Sequence, residues 1–271
     1  MTHDFPLILA TIFYLVAAVL LFHSIRNKSD RTRKLSQGFA IAGILLHAGA
    51  QLSHWFGQGV PDVSLPHLLS LCALVSMIIL LSSAFSRKAL YAAGLVALPI
   101  AAAVLLLEWV MPNNPIPLTD TSPGTAVHIV TSVLAFGLFS IAGLYAFFVF
   151  IIDHFLRNHH LNPLVRTLPP LEVLEQLLFK LIGVGFIMLT LSLISGLMFI
   201  NDIFAQHLLH KTVLSILTWL VFGVLLWGRW RYGWRGSLAV RMTLLGIALL
   251  LLSYFGTKLV LEIILGRGWQ S

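Results

Sequence analysis

Charged residues and cysteine are scarce in this sequence. Only 10% of its 271 residues are Asp, Glu, Lys or Arg, whereas 58% are hydrophobic. A soluble globular domain is excluded, because so few polar side chains could not cover its surface. Cys72 is the only cysteine, which excludes an internal disulfide, a CxxC site and covalent c-type haem attachment within the chain.

Familiar catalytic motifs are absent as well. The sequence has no HExxH pair, no Gly-rich phosphate loop and no Gly-x-Ser-x-Gly elbow. It also lacks the paired intramembrane carboxylates and broken helices that a proton-coupled or ion-coupled transporter would use. A transporter built on the histidines and Glu108 is therefore the least favoured function for this chain.

The hydrophobic residues form eight runs that could cross a bilayer as helices, which takes about 20 residues each. The runs cover approximately 5–24, 38–56, 65–85, 89–111, 127–152, 178–200, 212–228 and 242–265. We therefore expect an all-α fold, a polytopic membrane helical bundle with about eight transmembrane helices. No repeat or soluble segment interrupts the pattern, so residues 1–271 are predicted to form a single integral membrane domain.

The basic residues predict the orientation of the bundle. Of the 17 Lys and Arg residues, all but Lys211, Lys258 and Arg267 lie in or beside the connections after the first, third, fifth and seventh runs. Loops retained in the cytoplasm carry this positive excess. Because the number of predicted spans is even, both termini are then predicted to lie outside the cytoplasm. The net charge of +7 is thus a topology signal, and no nucleic-acid partner is expected.

Two sequence patterns predict local packing. After Pro169 and Pro170, "LEVLEQLLFK" places leucines at helical spacing with Glu172 and Glu175 opposite them, which indicates an amphipathic helix on the cytoplasmic surface running into the sixth span. Small residues that allow close helix approach interrupt the fifth and sixth runs. They are Gly137, Gly143, Ser192, Ser195 and Gly196.

The eleven histidines are the outstanding polar feature of the chain. Six are predicted near the outer boundary, which is more than interfacial anchoring requires, and His47 lies deepest in the bilayer. His207 and His210 share one helical face, which suits two ligands of one metal, one ligand with a hydrogen-bonding neighbour, or simple anchoring. Haem iron accepts axial imidazoles in an apolar pocket, whose walls Trp55, Trp109, Phe204 and Trp219 could supply.

Three segments, in this order, resemble the cytochrome c assembly protein family. They are "PPLEVLEQLLFKLIGVGFIMLTLSLISG" (169–196), "TWLVFGVLLWGRWRYGWRG" (218–236) and "YFGTKLVLEIILGRG" (254–268). The family includes the CcsA/ResC-like subunit of a cytochrome c synthase and smaller proteins of the YpjD/HemX type. The resemblance is strongest over residues 125–271 and looser over the rest.

The resemblance implies an eight-helix protein that handles haem at the outer membrane face through histidines of different helices. A family histidine that opens the fifth helix corresponds to His128. The tryptophan-rich (WWD) haem-presenting loop is missing, and "QHLLHKT" stands in its place, with Lys211 on the family's lysine. The pattern therefore resembles the YpjD/HemX-type branch, and we do not expect this chain to catalyse haem attachment. Two further family histidines correspond to Trp227 and about Leu265.

These observations lead to a functional prediction with one open alternative. The first function is non-covalent haem binding that supports cytochrome c maturation or haem trafficking, with His128 and His210 as opposed axial ligands. Lys211 and His47 complete the predicted cofactor-binding residues, and His207 is an interfacial neighbour. The expected partners are the lipid bilayer, haem, and other cytochrome c maturation or membrane proteins. The alternative is a non-catalytic accessory or regulator of a haem-biosynthesis enzyme or a membrane transporter.

Overall fold

The computed structural model describes residues 4–57, 62–86, 93–111, 122–157, 170–199 and 206–256. Within these ranges the chain forms eight α-helices and no strand. The helices are α1 (Asp4–Asn27), α2 (Asp30–Gly57), α3 (Leu65–Ser86), α4 (Gly94–Val110), α5 (Pro123–Arg157), α6 (Leu171–Phe199), α7 (Gln206–Tyr232) and α8 (Ser237–Leu251). A π-helical turn, Leu252–Gly256, follows α8.

Six of these helices are long and apolar enough to cross a membrane, whereas α4 and α8 are shorter apolar helices. Large apolar side chains such as Val19, Leu45 and Ile187 are exposed on them. Exposed apolar surface of this kind suits a hydrocarbon environment, since lipid tails offer no polar partner. The predicted all-α polytopic membrane fold is confirmed.

The helices group into two four-helix units. Unit 1 contains α1–α4, and unit 2 contains α5–α8 with the π-helical turn. In unit 1, α1 packs against α2 and α4, and α3 packs against α4. Ser36 Oγ donates a hydrogen bond to the carbonyl of Ala17 at 2.6 Å, and Gly43 leaves room for the ring of Tyr14. The absence of a side chain at Gly43 thus allows α1 and α2 to approach closely.

Aromatic stacking and small residues hold unit 2 together. The buried rings of Phe139 and Phe222 are nearly parallel, with centroids 4.1 Å apart. Gly185 faces Phe139, and Gly143 faces Ile247 of α8. The prediction that Gly143 marks a close helix approach is confirmed, because a Cβ there would lie 2.6 Å from the terminal Cδ1 of Ile247, which would have to move.

The start of α6 differs from its prediction. The amphipathic segment was expected to run into the sixth span, and α6 does run without a break from Leu171 to Phe199; what differs is the exposure of one of its two glutamates. Leu174 and Leu178 are buried and Glu172 is exposed, as the amphipathic pattern predicts. Glu175 is instead only 8% exposed, and its carboxylate accepts a hydrogen bond from the backbone N–H of Gly236 at 2.8 Å. A partner 61 residues away therefore overrides the local pattern.

Candidate functional site

His128 lies near the start of α5 and is partly buried against α6. Its Nδ1 lies 2.8 Å from the carbonyl oxygen of Ser192. Because a carbonyl oxygen can only accept, Nδ1 carries the proton and donates it. The neutral ring then presents an unprotonated Nε2, which is the form of histidine that binds a metal, and a hydrogen bond from the other nitrogen is the usual support of such a ligand.

Serine residues bring α5 and α6 together at this point. The hydroxyl oxygens of Ser132 and Ser192 are 2.6 Å apart, and Ser195 Oγ donates to the Ser192 carbonyl at 3.0 Å. Ser132, Ser192 and Ser195 are all buried. The prediction that Ser192 mediates close packing is confirmed by its contact with Ser132, whereas the hydrogen bond of Ser195 stays within α6. The close approach allows the His128 ring to reach the backbone of α6.

The second predicted ligand lies in the first turn of α7. The backbones of His207 and His210 are helical there, but their side chains lie outside what the structure describes. The carbonyl of Lys211 accepts a hydrogen bond from Ser253 Oγ at 2.9 Å, so the first turns of α7 pack against the π-helical turn. That His128 and His210 face each other stays a prediction.

Of the predicted aromatic walls, Trp219 packs between α6 and α7. Its ring stacks on Phe186 with a centroid separation of 5.4 Å, and its Nε1 donates to Thr190 Oγ1 at 2.9 Å. Trp109 is exposed. The side chains of Trp55 and Phe204 lie outside the described part of the chain.

His47, the deepest histidine in the sequence prediction, is fully buried in unit 1. Its Nδ1 lies 3.2 Å from the Tyr14 hydroxyl, and its Nε2 lies 2.8 Å from Ser70 Oγ. Both ring nitrogens are therefore engaged within unit 1. A cofactor-binding role for His47 stays a prediction, and it would require one of these two hydrogen bonds to break.

The hydrogen bonds of His47 continue into a buried polar network. Gln51 Nε2 donates to Ser70 Oγ at 2.7 Å and lies 3.3 Å from both carboxylate oxygens of Glu108. His67 Nδ1 lies 3.2 Å from Glu108 Oε1. Residues of all four helices of unit 1 thus take part, from Tyr14 on α1 to Glu108 on α4.

Sequence reasoning missed this network, although two signals were available. His47 and Gln51 are four residues apart on α2, and His67 and Ser70 are three apart on α3, so each pair shares a helical face. Among the residues that the structure describes, no group of three His, Cys, Asp or Glu side chains could hold a metal ion.

These features define the class of the protein. It is an integral membrane protein with polar sites between its helices. In unit 2, the His128 ring is oriented by its hydrogen bond to Ser192. In unit 1, a buried hydrogen-bond network runs from Tyr14 to Glu108. The chain belongs to the family described as Cytochrome C assembly protein, whose sequence profile matches residues 5–265. The match extends the resemblance seen over residues 125–271 to nearly the whole chain.

Curated relatives agree with this assignment. The chain is 32% identical to the Inner membrane protein YpjD of Escherichia coli K12 over 95% of this chain and 98% of the relative. It is 25% identical to Protein HemX of Brevibacillus brevis, covering 56% of this chain and 58% of that protein. The Cytochrome c biogenesis protein CcsA of Gloeobacter violaceus is 28% identical over 37% of this chain and 30% of its own length. No solved structure matches the chain significantly.

Proposed function

We propose that this protein binds haem non-covalently and supports cytochrome c maturation or haem trafficking in the membrane. The observation that carries the proposal is the hydrogen bond from His128 Nδ1 to the Ser192 carbonyl, which leaves Nε2 as a free electron-pair donor. The family membership supplies the link to haem, because cytochrome c assembly requires haem as its substrate.

The residues around His128 fit an axial haem ligand. His128 is partly exposed, as a residue that binds a ligand through Nε2 has to be. Ser192, whose carbonyl accepts the hydrogen bond from His128 Nδ1, is itself buried. Its hydroxyl contacts that of Ser132, and its carbonyl also accepts a hydrogen bond from Ser195 Oγ. A ligand whose ring is fixed in this way loses little rotational freedom on binding. When bound, haem would be the cargo that this protein holds and that another protein receives intact.

His210 is proposed as the second axial ligand, with Lys211 next to it at the start of α7. Both residues stand where the family's haem-presenting loop would be, and Lys211 is anchored through its carbonyl to Ser253. A lysine ammonium at this position would suit a haem propionate, since the two groups carry opposite charges. His207 is proposed to be a neighbour at the membrane boundary.

We also propose a location and an orientation. The similarity to an inner membrane protein of Escherichia coli and the membrane-spanning helices support an inner-membrane location. The excess of Lys and Arg after α1, α3, α5 and α7 supports placing both termini, and with them His128 and His210, on the periplasmic side.

The visible absorption spectrum of the purified protein tests the haem proposal. Protein extracted in detergent from haem-replete cells is expected to show a Soret band and, after reduction, the sharp low-spin bands of bis-histidine haem. His128→Gly should lose most of this absorbance, and added imidazole should restore it by occupying the vacated position. His210→Gly should give a high-spin spectrum or lose haem.

His154→Gly is the matched control, because His154 lies on the same helix near its other end and is exposed. Its spectrum should equal that of the wild type. A haem-free wild-type protein that still complements its cellular phenotype would contradict the proposal. That result would favour the accessory or regulator alternative, and co-purification of a haem-biosynthesis enzyme or a transporter would then test that alternative.

A further inference from the structure

One exposed face of α7 runs along the helix and ends in a positive charge. Its members recur at spacings of four and three residues, which places them on one side of a helix. All of them are exposed, whereas Thr218, Phe222 and Leu225 on the opposite side are buried. We call the exposed face the α7 stripe, and it consists of Val213, Leu217, Leu220, Val224, Trp227 and Arg231.

The α7 stripe has the length of the hydrocarbon part of a bilayer. The helix that carries it is long and apolar enough to cross a membrane. From Val213 to Arg231 the stripe extends about 27 Å at about 1.5 Å per residue, and the hydrocarbon core is about 30 Å thick. Arg231 thus reaches the level of the lipid phosphates. Trp230, which is 83% exposed, and Tyr232 lie beside it, where amphipathic aromatic rings concentrate.

The guanidinium of Arg231 is available to an anion. It lies 6.0 Å from the ring centroid of Tyr232, an arrangement that engages its flat face and leaves its N–H groups to donate in their own plane. Within the described residues neither Arg231 nor Arg235, which is also exposed, forms an ion pair. Glu175 is buried at this turn and accepts the N–H of Gly236 instead. An anion from outside the chain can therefore supply the counter-charge.

The turn that carries Arg235 has a defined backbone. The N–H of Gly233 donates to the Arg229 carbonyl at 3.1 Å, and the N–H of Trp234 donates to the Gly228 carbonyl at 3.2 Å. Arg229 Nη1 in turn donates to the Trp234 carbonyl at 3.1 Å. The guanidinium of Arg229 is thus used within the turn, and the turn holds Arg235 at the charged end of the α7 stripe.

We propose that an anionic phospholipid of the bilayer binds along the α7 stripe. Arg231 and Arg235 hold its phosphate, because guanidinium groups match phosphate oxygens with paired hydrogen bonds. Its acyl chains lie along the exposed side chains of Leu220, Val224 and Trp227. A lipid is selected over a water-soluble anion, since only a lipid covers both the charged and the apolar part. A net negative headgroup is preferred because a choline or ethanolamine cation neutralises the phosphate of its own headgroup.

Native mass spectrometry of the full-length protein in detergent tests this site. Phosphatidylglycerol and phosphatidylcholine with identical acyl chains are titrated separately, and the dissociation constant of the first bound lipid is measured for each. The wild type should prefer phosphatidylglycerol by about 25-fold, from about fivefold for each arginine. Arg231→Gln should lose about fivefold of this preference, and Arg231→Gln/Arg235→Gln should lose most of it.

Arg26→Gln/Arg31→Gln is the matched control, because it removes two exposed arginines at the turn between α1 and α2 and changes the net charge equally. Its lipid preference should equal that of the wild type. An equal loss in the control would show that the preference follows overall charge, which would overturn the site. Equal affinities of the wild type for the two lipids would also overturn it, whether or not the variants fold. A dimer without bound lipid would show that a second copy covers the stripe, with the same consequence.

Discussion

Replacing Glu175 by leucine should destabilise unit 2 because this carboxylate supports the start of another helix. It accepts the N–H of Gly236 at 2.8 Å, and Gly236 is the residue directly before α8. The first backbone N–H groups of a helix have no partner within the helix. A negative charge at this end also interacts favourably with the helix dipole. Glu175 on α6 thus stabilises α8 from outside its own sequence.

The size of the effect follows from the burial of this contact. Glu175 is 8% exposed, so water cannot readily replace the carboxylate. Hydrogen bonds to charged groups contribute about 1.5–3 kcal/mol, and we expect Glu175→Leu to lose about 2 kcal/mol of unfolding free energy. Each kcal/mol shifts the midpoint temperature of thermal unfolding, Tm, by about 2–4 °C for a chain of this size. The Tm of Glu175→Leu should therefore fall by about 4–8 °C. Glu175→Gln keeps an acceptor oxygen and should lose about half as much.

Thermal unfolding in detergent at one fixed scan rate measures this difference, since membrane proteins often unfold irreversibly and the apparent Tm then depends on the rate. Glu172→Leu is the control, because Glu172 lies one turn earlier on the same helix and is exposed. Its Tm should stay within about 2 °C of the wild type. Equal Tm values for the two leucine variants would refute the assigned role of Glu175.

Two further predictions use the same assay. Gly246→Ala should cost about 1–3 kcal/mol, because its Cβ would lie 2.6 Å from the buried ring of Phe222. In Gly183→Ala the new Cβ would meet no described atom within 4 Å, so this variant should be stabilised by up to about 1 kcal/mol. A lower Tm for Gly183→Ala than for Gly246→Ala would contradict the packing of α8 against α7. Tyr14→Phe should lose about 1 kcal/mol with its hydrogen bond to His47, and an unchanged Tm would show that this bond contributes nothing.

Hydropathy predicted the helices well but not where each one ends. The second run was expected over 38–56, whereas α2 begins at Asp30. The residues between them include Arg31, Arg33 and Lys34, which a hydropathy profile counts as loop. They continue the helix beyond the apolar run, and Arg33 pairs with Asp30 one turn earlier. The limits of a transmembrane run therefore mark the apolar part of a helix and not the helix itself.

Polar contacts between helices could not be predicted in the same way. The side chain of Gln51 reaches Glu108, 57 residues away, and Glu175 reaches Gly236 across 61 residues. Helical spacing identifies which residues share a face, but the order of neighbouring helices decides which faces meet. Glu108 was named in the sequence only for the transporter alternative, and its contact with His67 depends on how α3 packs against α4.

The site at His128 shows why packing and function were hard to separate in the sequence. Ser192 and Ser195 were interpreted as small residues for close helix contact, and His128 was selected through its family resemblance. In the structure the packing residues and the candidate ligand belong to the same interface. Ser132 and Ser192 bring α5 and α6 together, and the Ser192 carbonyl then accepts a hydrogen bond from His128. A larger residue at position 192 would separate the helices and release the imidazole, so the residues that pack this interface also determine which nitrogen of His128 is available to a ligand.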